Sequence, residues 1–331
     1  MATDENLIPF FMPPLAALLA KAEADKKSPL TEAEVKQVRD CAACIMMAPG
    51  DVGKMIQSRG YRDVDPQDCW ADWHRLRVEF TGNGCLPKIV LCVVGGKNLS
   101  DKAPSVLEPA GIEHEWSDQD PRMLSAFQAS SLRCDPSLQP EDLAGVASHS
   151  KVLYVLSNNF TASEAPGVSR AFLRTGARLL EAGGVAMKCE SAGIAHGRLR
   201  WLELARQVET QDSWSSLIRA FVQYPIVSGD DFYSCGMHLL GRPDLIVSET
   251  LLRKLHGAKE DPAWKAVDLF RVFANYLLAE CAEGGFASGH TFSLSANGPR
   301  YRVLWETCTG YEEDDFFFNC FGRWRFADVN A

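Results

Sequence analysis

Residues 221–240, FVQYPIVSGDDFYSCGMHLL, decide which kind of sheet this chain builds. Two apolar runs, 221–227 and 233–240, flank the turn sequence Ser228-Gly229-Asp230-Asp231. Runs of this length around a short turn that contains glycine are typical of two strands joined as a hairpin. Strands that follow each other without a helix between them argue against a doubly wound parallel sheet, because each parallel connection needs a long crossover.

Strands and helices follow each other irregularly on both sides of this hairpin. Further strands are predicted at 89–94, 152–156, 185–188, 291–294, 301–306 and 316–326. Helices are predicted at 165–182, 196–208 and 262–283, because apolar residues recur there at helical spacing. In the last of these, the spacing predicts that Trp264, Phe270 and Phe273 are core residues. The fold class that this order favours is α+β, with a mixed, largely antiparallel sheet packed with helices.

The first eighty residues carry a different, helical pattern. Thr31 to Glu34 forms a capping box, and Val35, Val38, Ala42 and Ile45 continue the apolar stripe of that helix until Pro49. Residues 97–150 are the least regular part, with one short helix predicted at 122–129. We therefore predict a helical N-terminal segment over 1–84, followed by an α+β domain over 85–331.

The composition of the chain indicates which class of partner and which cellular compartment to expect. Of the 331 residues, 34 are basic and 43 are acidic, which gives a net charge of -9. Such a surface repels a phosphate backbone and attracts a basic protein, so nucleic acid is not expected as a partner. The eleven scattered cysteines, the acidic N-terminus and the lack of a membrane-length apolar run predict a cytoplasmic protein with free thiols and no membrane association.

Metal and cofactor signatures are incomplete. Cys41 and Cys44 form a C-x-x-C pair, but no second ligand pair accompanies it, and its position late in a helix predicts two buried thiols. No two of the seven histidines are three or four residues apart. The glycines at 95 and 96 fit neither phosphate-binding loop pattern. We therefore expect no metal and no cofactor.

A hydrolase is the first alternative function. Cys189-Glu190-Ser191-Ala192-Gly193 follows a predicted strand and precedes a predicted helix, which is the setting of a nucleophile elbow, with Ser191 or Cys189 as the nucleophile. The elbow requires glycine two residues before the serine, where this chain has Cys189. His196, five residues after Ser191, is not where the base of such enzymes usually comes from. Without those features the segment is an ordinary strand-to-helix turn in which Ser191 caps the helix, and the hydrolase alternative needs a histidine from elsewhere in the chain.

Acidic residues mark the candidate binding surface. Residues 311–318, YEEDDFFF, place Glu312, Glu313, Asp314 and Asp315 beside three phenylalanines, and Asp230 and Asp231 occupy the hairpin turn. A calcium loop would space its oxygen ligands at alternate positions and include a glycine, which this run does not. We predict that these six acids bind a protein partner, and the alternative is that they only keep two hairpin tips solvated.

The C-terminal half resembles a bacterial family, domain-of-unknown-function family 4261. The resemblance rests on residues 233–247, YSCGMHLLGRPDLIV, on 270–278, FRVFANYLL, on Gly289 to Phe292, and on the similar segment 179–201. It supplies no catalytic residue and implies an accessory protein of the kind found among toxin-neutralising immunity proteins. The expectation is a non-enzymatic binding protein, namely a bacterial immunity protein that neutralises its cognate toxin by direct binding to a basic toxin domain. A secretion-system adaptor or structural component is the second alternative.

Overall fold

A computed structural model describes residues 7–26, 28–59, 61–81, 86–281 and 286–329. The chain divides into two compact units, an N-terminal unit over residues 1–85 and a C-terminal unit over 86–331. The boundary predicted after residue 84 and the predicted helix end at 283 lie outside the described residues.

The N-terminal unit combines helices with a two-stranded antiparallel sheet. Its elements are β1 (Ile8–Phe11), α1 (Leu15–Lys26), α2 (Glu32–Cys41), β2 (Cys44–Met47), α3 (Pro49–Arg59) and α4 (Cys69–Thr81). The capping box at the start of α2 is present, because Thr31 accepts from the amide of Glu34 and the Glu34 side chain accepts from the amide of Thr31. Leu15, Val35 and Trp73 from three different helices meet in one apolar core.

Two expectations for this unit are wrong. Helix α2 ends at Cys41 rather than continuing to Pro49, because Ile45, Met46 and Met47 pair with β1 instead. Tertiary pairing has overridden the helical spacing here. As a result, Cys41 and Cys44 lie at a helix end and a strand start, and both are exposed rather than buried.

The first sheet of the C-terminal unit has five antiparallel strands in the order β4-β5-β3-β6-β7. These strands are β3 (Val90–Gly95), β4 (Glu113–Asp118), β5 (Lys151–Leu156), β6 (Gly184–Cys189) and β7 (Ile194–Gly197). The helices of this half are α5 (Lys97–Lys102), α6 (Pro104–Leu107), α7 (Met123–Ser131), α8 (Pro140–Ala147), α9 (Ala165–Glu181), α10 (Arg198–Gln211) and α11 (Trp214–Phe221). Helix α9 lies close to β6 because Gly176 has no side chain: a Cβ there would approach the Met187 sulfur to 2.7 Å.

The second sheet has six strands in the order β11-β12-β13-β10-β9-β8. They are β8 (Gln223–Ser228), β9 (Asp231–Cys235), β10 (Asp244–Ser248), β11 (Thr291–Phe292), β12 (Tyr301–Glu306) and β13 (Arg323–Asp328). Only β10 and β13 are parallel, so the sheet is mixed and largely antiparallel. The predicted hairpin is β8–β9, and the predicted α+β class is confirmed.

Helices α12 (Glu249–His256) and α13 (Pro262–Asn275) complete the unit, and α13 runs into a π-helical turn, Tyr276–Glu280. Phe270 and Phe273 on α13 are fully buried, as predicted. Trp264 is 68% exposed, so its prediction as a core residue is wrong. Among the described helices, none is long and apolar enough to cross a membrane.

Candidate functional site

An open groove of about 660 Å³ lies on one face of the five-stranded sheet. Helices α7 and α8 cover part of this face, where Phe127 and Val146 pack on Val94. The groove begins at α7, with Met123 and Ala126 on one wall, and a loop after β12 supplies the other wall.

The floor of the groove is a row of side chains that crosses the sheet. The register pairs Glu115 with Tyr154, Tyr154 with Cys92, and Cys92 with Lys188, so these four residues share one face. Burial raises the pKa of the Cys92 thiol and that of the Tyr154 hydroxyl, and Cys92 adds to the shift of Tyr154. The middle of the floor is therefore uncharged at neutral pH.

The charged groups of the groove do not balance. Arg122 forms an ion pair with Asp120 at 2.7 Å, and Lys188 forms one with Glu190 at 2.7 Å. The two remaining acids, Glu115 and Asp315, form no ion pair within the described residues. The groove therefore has apolar walls and an excess of negative charge, which suits a segment that is partly apolar and carries a positive charge.

The second wall is the acidic loop, which we define as residues 307–322. Glu312, Glu313, Asp314 and Asp315 are all exposed, as is Phe316, which is 54% exposed. Asp315, Phe316 and Phe317 line the groove directly. Phe317 also packs on Tyr311, with ring centroids 5.4 Å apart, and it lies against Gly193, where a Cβ would meet the ring at 3.4 Å.

A buried carboxylate anchors the acidic loop to the six-stranded sheet. Asn319 donates to Asp244 Oδ2 at 2.7 Å, while Ser234 Oγ and the amide of Met237 donate to Asp244 Oδ1 at 2.8 and 3.2 Å. Burial raises the pKa of Asp244 to about 6, although these hydrogen bonds oppose the shift. Tyr311 adds a second anchor, since its hydroxyl lies 3.2 Å from that of Tyr233.

His238 lies beside this carboxylate and is almost completely buried. Its Nδ1 is 4.0 Å from Asp244 Oδ2, and neither ring nitrogen makes a hydrogen bond within the described residues. The other polar groups that face the ring are the backbone of Ser191 and of Phe316. Burial lowers the pKa of His238 to about 4, so the ring is neutral at pH 7.

The structure does not bring the turn acids to the groove. Asp230 accepts hydrogen bonds from the backbone and side chain of Thr250 at the start of α12. Asp231 forms an ion pair with Arg325 at 3.1 Å, and it lines a separate, smaller cavity of about 170 Å³. Both carboxylates therefore have structural partners, whereas the acids at 312–315 are exposed on their loop.

The geometry around Ser191 gives no support to the hydrolase alternative. The segment is a turn between β6 and β7, not a strand-to-helix elbow, and Ser191 is completely buried. Its hydroxyl donates to the carbonyl of Lys88 at 2.6 Å and accepts from the amide of Val90 at 3.0 Å. It therefore joins the turn to the residues at the start of β3.

Cys189 and His196, the other two residues considered beside Ser191, are inaccessible or already hydrogen-bonded. Cys189 is completely buried, and burial raises the pKa of its thiol to about 12. His196 Nε2 donates to the carbonyl of Ala220, and its Nδ1 accepts from Arg200 Nε, both at 3.0 Å. Burial lowers the pKa of His196 to about 3. The imidazole thus has no free nitrogen with which to activate a nucleophile.

Sequence reasoning missed the groove floor and the anchor of the acidic loop. Glu115 belongs to a polar strand that has no apolar alternation, and Asn319 lies 75 residues from Asp244. The one available signal was Asp244 itself, an acid placed directly before the apolar run 245–247.

The described residues contain no group of three or more His, Cys, Asp or Glu side chains that could hold a metal ion. Comparison of the chain with protein-family models, with curated proteins and with solved structures finds no match in any of the three.

Proposed function

We propose that this protein binds a basic partner protein and that the acidic loop and the groove beside it form the binding surface. The observation that carries the proposal is the wall at 312–316, where four exposed acids and an exposed phenylalanine border a groove whose lining adds one more acid, Glu115, that forms no ion pair within the described residues. Single exposed apolar residues are common on protein surfaces. A half-exposed aromatic ring between a groove and an acidic cluster is a more specific arrangement.

The phenylalanine and the acids contribute to binding in different ways. Phe316 supplies a large apolar side chain that a partner can cover, and aromatic residues dominate the binding energy of many interfaces. The acids at the rim accelerate the encounter with a basic surface, and this effect weakens as salt screens the charges. The anchors at Asn319 and Tyr311 hold the loop in place before binding, which reduces the entropy lost on association.

The class of partner in this proposal is a bacterial toxin, and the protein acts as its immunity protein in the cytoplasm. This part rests on the resemblance of the C-terminal half to family 4261 and on the net charge of -9. The adaptor alternative uses the same surface but predicts a partner that is a component of a secretion system. Capture of the partner from the native cells, followed by identification of the bound protein, separates the two.

The test of the surface is a charge reversal. The variant Glu312→Lys, Glu313→Lys, Asp314→Lys and Asp315→Lys should associate with the captured partner at least about tenfold more slowly at low salt, because steering depends on these charges. The difference should shrink as the salt concentration rises. Association rates at several salt concentrations measure both effects.

A matched control reverses four other exposed acids of the same unit, Asp101, Glu108, Glu181 and Glu280, which form no ion pair within the described residues. It changes the net charge equally and lies outside the groove lining. Equal slowing in both variants would mean that net charge alone attracts the partner. An unchanged rate in the loop variant would remove the proposed surface and leave the acids as solvated loop residues.

A further inference from the structure

Strand β4 is the outer strand of the five-stranded sheet and borders the groove. In the described part of the chain, β5 is its only strand neighbour. Five of its six residues are exposed, and Trp116 is 38% exposed. An uncovered edge strand of this length offers a row of backbone groups to a further strand.

The hydrogen bonds of β5 establish which groups of β4 are available. The amide of Ser157 donates to the carbonyl of Ile89 at 2.9 Å, on the β3 side of the strand. Successive residues of a strand direct their backbone groups to opposite sides, so Leu156, Tyr154 and Val152 face β4. Their register partners, Glu113, Glu115 and Ser117, hydrogen-bond inward to β5.

It follows that His114, Trp116 and Asp118 direct their N–H and C=O groups away from the sheet. The side chains of Glu113 and Glu115 point to the groove face, and Glu115 is part of its lining. Asp118 is paired with Lys151 at 2.6 Å, but Glu113 and Glu115 form no ion pair within the described residues. The available edge is therefore flanked by two uncompensated negative charges.

We infer that β4 accepts an extended, basic segment of the partner protein as a sixth, antiparallel strand. In this arrangement the residues of the segment opposite His114 and Trp116 exchange main-chain hydrogen bonds with β4. The residues opposite Glu113 and Glu115 lie on the groove face, where lysine or arginine side chains compensate the two carboxylates. This inference rests on the proposed function and specifies the conformation and charge pattern of the bound segment.

A synthetic peptide tests the inference without knowledge of the partner. The probe is a fluorescein-labelled, N-acetylated nine-residue peptide of alternating lysine and valine that begins and ends with lysine. We expect it to bind the full chain with its lysines opposite the glutamates. The amides of His114, Trp116 and Asp118 should then exchange hydrogen more slowly, as measured by NMR, while the amides of β7 at the other edge remain unchanged.

Two methylated peptides provide the matched control. In the inferred register the valine N–H groups point to β4 and the lysine N–H groups point to solvent. N-methylation of the valines should weaken binding at least about tenfold, since it removes several main-chain hydrogen bonds to β4. N-methylation of the lysines should leave binding within about twofold. Fluorescence anisotropy measures all three affinities.

Equal affinity of the two methylated peptides, or binding without protection of the three β4 amides, would overturn strand addition. Failure of the unmodified peptide to bind would overturn it as well. None of these results tests the proposed function, because that proposal is tested by the charge reversal at 312–315 with the captured partner. If the reversal fails while the three amides are protected by the peptide, the edge binds basic strands and the acidic loop has no part in it.

Discussion

At the scale of single residues, His238 beside Asp244 is an exception to the usual rule that buried titratable groups are hydrogen-bonded. The Asp244 carboxylate has three donors, whereas the imidazole beside it has none within the described residues. Burial disfavours the charged form of each group, so it raises the pKa of Asp244 to about 6 and lowers that of His238 to about 4. The two shifts have opposite effects on stability.

The pH dependence of the free energy of unfolding should separate these two effects. Because the folded chain holds a proton on Asp244 more tightly than the unfolded chain, this group stabilises less as the pH rises from about 4 to 6. His238 contributes the reverse between about pH 4 and 6.5, since only the unfolded chain binds its proton there. In wild type the two changes in the free energy of unfolding largely cancel, since each amounts to about 3 kcal/mol over the window.

We therefore expect single substitutions to reveal one slope each. Relative to wild type, Asp244→Asn should become more stable as the pH rises from 4 to 6, and His238→Asn should become less stable over the same range. Urea unfolding at several pH values measures both differences. Parallel curves for wild type and either variant would contradict the pKa shift of the residue replaced, whatever the absolute loss of stability.

At the scale of elements, helix α13 shows what the spacing of apolar residues can and cannot predict. The recurrence of apolar residues correctly predicts that Phe270 and Phe273 are buried, because residues three apart share a helix face. Phe273 contacts four aromatic rings, including Phe326 of β13 at 5.0 Å between centroids. Trp264 lies in the first turn, two residues after Pro262, and remains 68% exposed.

The variants Phe273→Ala and Trp264→Ala should therefore differ in stability. Removing the Phe273 ring leaves a cavity among its four neighbours and should cost about 3–5 kcal/mol. Removing Trp264 should change the free energy of unfolding by less than about 0.5 kcal/mol, as is usual for a surface substitution. Chemical denaturation of both variants provides the comparison. Similar losses in the two would show that the inner face of α13 is assigned incorrectly.

The elements that the sequence does not reveal are those created by tertiary pairing. Strand β4 has the sequence Glu-His-Glu-Trp-Ser-Asp, and nothing in it alternates between apolar and polar, because one edge and most side chains are exposed. Its strand conformation is established by β5, whose residues start 33 positions after those of β4 end. The runs β3, β5 and β6 were predictable, since each is a short apolar run whose apolar side chains are mostly buried.

The candidate site could likewise be predicted from the sequence only in part. The exposed acids at 312–315 could be identified from the sequence, because four adjacent acids cannot be buried together without compensation. Their position beside a groove could not be identified, since it depends on the bond between Asn319 and Asp244 and on the packing of Phe317 against Gly193. Local patterns predict exposure, whereas only the fold determines what an exposed group borders.

At the scale of the whole molecule, the described cysteines form three groups that differ in access to solvent. Ten of the eleven cysteines lie in the described residues and none of these ten forms a disulfide, while Cys85 lies outside them. Cys41 and Cys44 of the N-terminal unit are exposed. Three cysteines are partly exposed, namely Cys281, Cys308 and Cys320, and five are buried, namely Cys69, Cys92, Cys134, Cys189 and Cys235.

Thiol labelling of the native protein should follow this division. The thiolate is the reactive form, so a thiol that is buried and has a raised pKa reacts slowly for two reasons. Burial raises the pKa of Cys189 to about 12 and that of Cys235 well above its usual value. At pH 8, a water-soluble thiol reagent should therefore label Cys41 and Cys44 rapidly, the three partly exposed cysteines more slowly, and the five buried cysteines only after unfolding.

The double variant Cys41→Ser and Cys44→Ser identifies the rapid phase. It should lose two equivalents of rapidly reacting thiol, and the slow phase should be unchanged, because the substitutions lie at exposed positions. Denatured wild-type protein should titrate as eleven thiols if the chain contains no disulfide. Rapid labelling of Cys92 in the native protein, located by mass spectrometry, would contradict the burial of the groove floor. It would also mean that this part of the sheet opens on the time scale of labelling, since Cys92 is completely buried in the folded protein.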